Sequence, residues 1–267
     1  MQQGLRPRQS IRRWWDLVTM LAWRDIRIKY KQSVMGFLWA ILMPTLVVGA
    51  GLAFRYGLSW YSFYTGRHVD PWSFGAVAVK AVPWAFFVAS LRFATNSLIG
   101  NAPLITKIYL PREVFPIAAV LSQFADFCVA GLAMLVVLGL TGVRASLALL
   151  WVPVLVLGLV TLCLGLGMFL SAGALFFRDV KYLVDVVITF AVFLTPVFYP
   201  VEAFGRHART ILLNPVAPLL VGLSDAVVEH RAPNLGWTAY ALGVSAACCI
   251  GGFVAFRRLD PLFAERI

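Results

Sequence analysis

Charge is scarce in this chain. Only 13% of its 267 residues are Asp, Glu, Lys or Arg, about half the share usual in a water-soluble domain. Acidic residues are the rarer sign, 12 against 23 basic. None of the five lysines (Lys29, Lys31, Lys80, Lys107, Lys181) follows a glycine, so the sequence holds no GxxxxGK[ST] phosphate loop. Cysteine is equally sparse. Cys128, Cys163, Cys248 and Cys249 sit in apolar stretches with neither metal-ligand spacing nor a disulfide framework, and read as small buried hydrophobes. His68, His207 and His230 also lack metal-ligand spacing, so no metal site is expected. No serine stands in a nucleophile elbow. Asp225 with Glu229 reads as one face of an external helix rather than a hydrolytic pair. No long apolar run precedes Val34, so no cleavable signal peptide is expected.

Apolar residues are abundant. They make up 61% of the chain, with 20 Phe, 9 Trp and 8 Tyr, and the mean hydropathy is +0.83. A water-soluble globule of this length could not hide that much apolar surface, and disorder is excluded by the same composition. The class that remains is an all-α, multi-pass membrane protein. A helix needs about 20 apolar residues to cross the hydrocarbon. Six segments approach this: 35–54, 72–91 (interrupted by Lys80 and Pro83), 115–141 (carrying Asp126), the uncharged run between Arg144 and Arg178, a short 186–201, and 238–256. Residues 1–34 are then an N-terminal segment and 35–267 a single six-helix transmembrane domain.

The net charge of +11 is best read by location. Six spans place the N-terminal arginines and lysines, Lys107, Arg112, Arg178, Lys181, Arg257, Arg258 and Arg266 on one side. By the positive-inside rule that side is cytoplasmic, with both termini in the cytoplasm. Basic residues facing anionic headgroups account for the charge without nucleic acid. Within the N-terminal segment, residues 11–31 project as an amphipathic helix. Trp14, Val18, Leu21 and Ile28 share one face, and Arg13, Asp16, Arg24, Arg27 and Lys31 the other, with Asp25 intruding on the apolar side. Such a helix, flanked by Trp15 and Trp23, is expected to lie in the cytoplasmic interface.

Three stretches carry a family resemblance. The first is Trp23-Arg24-Asp25-Ile26-Arg27-Ile28-Lys29-Tyr30-Lys31-Gln32-Ser33, continuing through Gly36, Leu38 and Trp39 to Pro44. The second is Pro83-Trp84-Ala85-Phe86-Phe87 leading to Thr95-Asn96-Ser97 and on through Asn101, Pro103, Lys107 and Pro111-Arg112-Glu113. The third is Phe176-Phe177-Arg178-Asp179-Val180-Lys181-Tyr182-Leu183, then Thr195-Pro196-Val197-Phe198-Tyr199-Pro200 and Asn214-Pro215. In this order they resemble the ABC-2 type permeases that export bacterial surface polysaccharides: O-antigen, capsule and teichoic acid. The resemblance implies a homodimer in the bacterial inner membrane, joined to two copies of a separate ABC ATPase. MgATP would bind that ATPase, and this chain would be no enzyme and carry no cofactor. The cargo implied is a lipid-linked polysaccharide, with undecaprenyl pyrophosphate as carrier. A drug or small-lipid efflux permease of the same superfamily is the alternative.

Each stretch also has a physical reading. The connector 101–112, bounded by Pro103 and Pro111, sets Leu104, Ile105, Ile108 and Leu110 beside Lys107 and Arg112. A brief helix with exposed apolar teeth suits a protein groove, and the resemblance implies that Asn101, Leu104, Ile105, Lys107, Ile108, Tyr109 and Arg112 dock on the ATPase. Arg178 and Asp179 form a second turn on that side, open between structural ion pairing and partner contact. On the outer side, about 202–237 is too long for a bare loop and too polar to span. Residues 203–213 and 217–228 read as two short helices parted by Asn214-Pro215. Backbone broken by Pro196, Pro200, Pro215 and Pro218 at membrane depth must be covered by protein or line a wet cavity. The resemblance implies re-entrant helices forming an external gate.

Aromatic rings can stack on sugar faces while the chain slides past. Trp39, Phe54, Trp60, Trp84, Phe86, Phe87, Phe190, Phe193, Phe198 and Tyr199 are therefore candidate channel liners, with core packing or interfacial anchoring the alternative for each. Lys80 stands where the family usually has a small or apolar residue. It is open between contacting an anionic cargo group and snorkelling to the outer headgroups. Asp126 is expected to pair with Arg92 between helices. Gly167 and Ser171 offer small-xxx-small spacing for close packing.

Overall fold

The computed structural model describes residues 7–31, 74–107, 110–140 and 146–263, with single positions 38, 42, 46, 57 and 60 between the first two. Among these residues the chain is helical, without strands. The elements are α1 (Pro7–Lys31), α2 (Phe74–Gly100), α3 (Ala102–Ile105), α4 (Val114–Leu140), a 3-10 turn (Leu147–Leu150) running into α5 (Trp151–Phe176), α6 (Asp179–Ala191), a second 3-10 turn (Val201–His207), α7 (Ala208–Leu212), α8 (Val216–Val227) and α9 (Leu235–Phe263). The expected first span, 35–54, falls almost wholly outside the described residues.

Among the described residues, four helices are long and apolar enough to cross a bilayer: α2, α4, α5 with its leading turn, and α9. Their long uncharged runs leave the backbone to bond within each helix, as lipid requires. Their hydroxyls do the same: Thr95 Oγ1 donates to the Leu91 carbonyl at 2.6 Å, and Ser245 Oγ to that of Ala241 at 2.8 Å. α2 is the central helix, two-thirds buried where the other three are buried by a third or less. The outer surfaces of those three expose Leu132, Leu135, Leu157, Phe169 and Ile250, the apolar coat that hydrocarbon solvates. Cys128 is exposed on α4 rather than buried.

Helix–helix approach is set by small residues. Gly167 of α5 faces Ala94 of α2 so closely that a Cβ on the glycine would stand 2.8 Å from the alanine methyl. Two clusters form the interior. The larger joins α2, α5, α6, α8 and α9 around Val79, Trp84, Leu155, Leu159, Leu219 and Leu223. The smaller closes one end of the bundle, where Val18, Leu21 and Ala22 of α1 pack with Leu98, Phe115, Met168, Phe256 and Phe263.

Three expectations change here. α1 is a long amphipathic helix, but its buried face is Val18, Leu21 and Ala22, while Ile28 is 65% exposed. The helix docks on the bundle end through these residues, and Ile28 lies outside that contact. Asp126 accepts hydrogen bonds from Lys29 Nζ and Tyr30 Oη, not from Arg92. Arg92 pairs instead with Asp185 of α6 at 2.9 Å, because α1 occupies the surface of α4 that carries Asp126. Finally, 186–201 is not one apolar helix. α6 covers Asp179–Ala191, about 20 Å of rise, and the chain then turns through the Thr195-Pro196 break, where proline removes a helix hydrogen bond.

Candidate functional site

The bundle has two ends of different chemistry. At the α1 end, polar side chains tie the helix termini together. Arg24 Nη2 donates to Asp25 Oδ1 at 2.8 Å and to Asn101 Oδ1 at 2.7 Å, so the acidic residue on the docked face of α1 is neutralised in place. Asn101 Nδ2 in turn donates to the Ser97 carbonyl at 2.8 Å, capping the last turn of α2. Glu113 accepts from Trp14 Nε1 at 3.2 Å and from Arg257 Nε at 3.1 Å. Arg112 Nη1 donates to the Asp260 carbonyl at 2.6 Å and to its carboxylate at 3.1 Å. Burial and the hydrogen bond to Asp126 push the Tyr30 hydroxyl pKa up, so this tie stays protonated at neutral pH.

These contacts redistribute the residues expected on the connector. Leu104, Ile105 and Leu110 are half-buried against the small cluster rather than projecting as free teeth. The exposed side chains are Pro103, Thr106, Lys107 and Pro111. Ile108 and Tyr109 lie outside the described residues. Arg112 is committed to α9, and Asn101 to Arg24 and α2. Arg178 and Asp179 are both exposed, at the start of α6, where Asp179 in the first turn favours the helix dipole.

At the opposite end the chain folds back on itself. The segment from Phe204 to Leu212 and that from Val216 to Val227 meet at 110° across Asn214-Pro215. Gly205 sits at φ 50, ψ −118, backbone that only glycine adopts without strain. α8 is buried along almost its whole length, covered by α2, α5 and α9. Asn214 anchors the bend: its Nδ2 donates to Thr195 Oγ1 at 2.9 Å and its Oδ1 accepts from the Val216 amide at 3.2 Å. Lys80, only 6% exposed, donates to the Tyr199 carbonyl at 3.1 Å. The 195–200 segment is thus held by α2 on one side and by Asn214 on the other, with Pro196 buried and Pro200 half-buried. Lys80 is buried rather than facing open solvent.

Beyond α8, His230 adopts φ 55 and turns the chain so that the Arg231 amide donates to the Asp225 carbonyl at 3.1 Å. The Arg231 guanidinium reaches Asp225 Oδ1 at 2.8 Å and Glu229 at 3.1 Å. The hydrogen bond to Asp225 raises the Arg231 pKa. Asp225 and Glu229 are therefore an ion-paired face. Sequence reasoning missed Arg231 as their partner, because the left-handed turn at His230 leaves no compositional signal.

The candidate channel liners separate into two groups. Trp84 and Phe87 are 5% and 7% exposed and stack at 5.5 Å, while Phe86 packs on Phe124 and Phe127. In this chain these rings pack in the core. Phe198 is half-buried against the same core. Tyr199 packs on Phe204 at 5.1 Å and donates to the Phe193 carbonyl at 2.8 Å. The surface-exposed rings are Trp60 (70%), Phe190 (62%) and Phe193 (70%). Trp39 and Phe54 lie outside the described residues.

Comparison with known proteins places this architecture. Residues 16–228 match the ABC-2 type transporter family. The chain is 26% identical over 253 residues to the O-antigen export system permease protein RfbA of Klebsiella pneumoniae, covering 94% of each chain. It is 28% identical over 260 residues to the protein of the same name from Myxococcus xanthus, covering 94% of this chain and 95% of that one. A match running from α1 through the end of α8 takes in the docked helix, the connector and the folded-back pair, and this chain belongs to the ABC-2 type transporter family.

Proposed function

We propose that this chain is the transmembrane permease subunit of an ABC exporter that carries an O-antigen-type surface polysaccharide, linked to a lipid carrier, across the inner membrane. The observation that carries this reading is the end-to-end similarity, over 94% of the chain, to permeases of O-antigen export. Undecaprenyl pyrophosphate is the carrier expected. The subunit works as a homodimer with two copies of an ABC ATPase, which binds MgATP and supplies the power. The exposed Lys107, Arg178 and Asp179 give that ATPase a polar docking surface at the α1 end.

Six crossings with both termini in the cytoplasm fit the fold. α1 packs at one end of the bundle and α2 begins at the other, which supports a crossing between them at 35–54. α6 supplies the fifth passage despite its length, since its start adjoins Gly173 of α5 and the segment after it reaches Asn214 at the far end. The folded-back pair at 204–227 then stands on the outer side as an external gate, braced by Lys80 and Asn214. Phe190 on α6, Phe193 just beyond its end and Trp60 are exposed rings that can meet the glycan.

Motion of the ATPase pair acts on the connector, passes through Asn101 to Arg24 and α1, and rocks the two permeases. The test is genetic and biochemical together. Deleting the gene removes the surface polysaccharide and leaves the lipid-linked glycan in the cytoplasmic leaflet, and the tagged chain co-purifies with an ATPase. A deletion strain that still displays its glycan overturns the assignment.

A further inference from the structure

A cavity of about 440 Å³ lies beside α8, walled by the Val201–His207 turn, α7, α8 and the first turn of α9. Its volume is that of a small-ligand site. Glu202, Asp225, Arg231, Asn234, Trp237 and Thr238 line it among apolar neighbours. The groove between α4, α5 and α9, about 300 Å³ and walled by Ile117, Met168 and Phe253, offers only lipid-like surface by comparison.

The polar groups of the cavity are held in place while part of their bonding capacity stays open. Asp225 is 8% exposed, and its Oδ1 takes both Arg231 bonds, from Nε at 3.2 Å and Nη2 at 2.8 Å. Among the described residues no hydrogen bond reaches Oδ2. Asn234 Oδ1 accepts the Trp237 amide at 3.2 Å at the start of α9, which leaves its amide nitrogen to donate. Trp237 is braced edge-on by Tyr240 at 5.9 Å and 90°, and Tyr240 is pinned by its hydroxyl to the Leu213 carbonyl at 2.9 Å. Gly222 forms part of the wall where a Cβ would meet Pro233 at 3.1 Å and Leu155 at 3.2 Å, so the cavity is bounded by tightly packed groups.

This combination has one chemical reading. A carboxylate oxygen accepts from hydroxyls, an amide and an indole N–H donate to hydroxyl or ring oxygens, and an indole face meets the C–H face of a pyranose. The two carboxylates outnumber the single guanidinium, which Asp225 and Glu229 already occupy. Among the residues that line the cavity, an anionic group meets Glu202 and Asp225 against a guanidinium that is already paired. Lys80, which also acts on these carboxylates, is not part of the lining and donates to the Tyr199 carbonyl.

We propose that this cavity is a binding subsite for a neutral sugar unit, one without carboxylate, phosphate or sulfate, on the outer side of each protomer. The assignment rests on the export reading, under which the cavity adjoins the external gate and receives the glycan as it leaves. Asp225 and Asn234 fix the hydroxyls, and Trp237 stacks on the ring. A sugar of a polymer that must move on is held weakly.

The full chain in lipid nanodiscs, probed by saturation-transfer difference NMR, tests it. The probes are the methyl glycosides of glucose, mannose, galactose and N-acetylglucosamine, with methyl glucuronide as the anionic counterpart. At least one neutral glycoside receives saturation, strongest at its C–H protons, and the glucuronide receives none. Asp225→Asn and Trp237→Leu each weaken the interaction by about tenfold, the worth of one hydrogen bond or one stacking contact, whereas Trp237→Phe retains most of it. Variants are compared only where they remain monodisperse with unchanged helicity, and Trp237→Phe serves as the folded reference. No transfer to any neutral glycoside, equal transfer to the glucuronide, or transfer indifferent to folded variants at both positions overturns the subsite. These readouts use isolated protein, so they are independent of the deletion phenotype on which the export reading stands or falls.

Discussion

Gly165 and Gly252 touch backbone to backbone. A Cβ on Gly252 would stand 2.2 Å from the Gly165 carbonyl oxygen, and one on Gly165 would stand 2.4 Å from the Cys248 carbonyl. No side-chain rotation relieves either contact, because the opposing atoms are main chain. In lipid, where hydrocarbon solvates an exposed leucine as well as a buried one, this close approach is what holds α5 to α9.

Gly252→Ala therefore separates the two helices and costs about 1–3 kcal/mol, the usual penalty for overpacking. Its neighbour Gly251 has nothing within 4 Å of a Cβ, so Gly251→Ala gains slightly from helix propensity. Fluorescence-detected size exclusion after a heat step reads both: the first variant loses its monodisperse peak at a lower temperature than wild type, and the second does not.

The packing pair most readily seen in the sequence, Gly167 with Ser171, marks a real contact of α5, but with Ala94 of α2. The Gly165–Gly252 contact joins residues far apart in sequence, and no local pattern announces which glycines face each other. The same limit explains Asp126. Its charge flagged it as needing a partner inside the membrane, yet the choice of Lys29 and Tyr30 over Arg92 depends on where α1 docks. By contrast, the four long spans, the amphipathic α1 and the break at Asn214-Pro215 were legible, because run length, helical period and proline act locally. Trp84 and Phe87 were ambiguous for the same reason: an aromatic residue carries no mark of which side of a helix will be core.

Asp126 receives both Lys29 and Tyr30 from α1, so Asp126→Ala strands a lysine against a span and loosens the end of α1. A cysteine pair placed across α1 and α4 cross-links less efficiently in this variant, and Tyr30→Phe has a smaller effect. The pH sign follows from the raised Tyr30 pKa. The tie is complete below the ordinary tyrosine range and is lost only as pH rises through the higher folded value. Cross-linking, taken relative to a control cysteine pair in the same protein so that the thiol's own pH dependence cancels, is accordingly flat from neutral pH to mild alkali. A decline beginning below pH 9 would contradict the Tyr30 contact.

Arg24 reaches Asn101 at 2.7 Å, joining α1 to the start of the connector that the export reading places against the ATPase. If force passes through this contact, Arg24→Ala and Asn101→Ala each reduce glycan export and the double variant is no worse than either alone. Surface polysaccharide per unit of membrane-inserted permease is the measurement. Additive losses would mean that the two residues act separately.

Lys80 donates one hydrogen bond, to the Tyr199 carbonyl, from a site that is 6% exposed. Methionine has a similar length and no charge to desolvate, so Lys80→Met leaves thermal stability unchanged or raises it, as replacement of a costly buried polar group often does. What the variant loses is the tether between α2 and the segment leading into the folded-back pair. Export then changes while folding does not, and a cysteine introduced at Phe204 becomes more accessible to a hydrophilic maleimide. A variant that loses stability and keeps wild-type labelling would make Lys80 a packing residue with no hold on the folded-back segment.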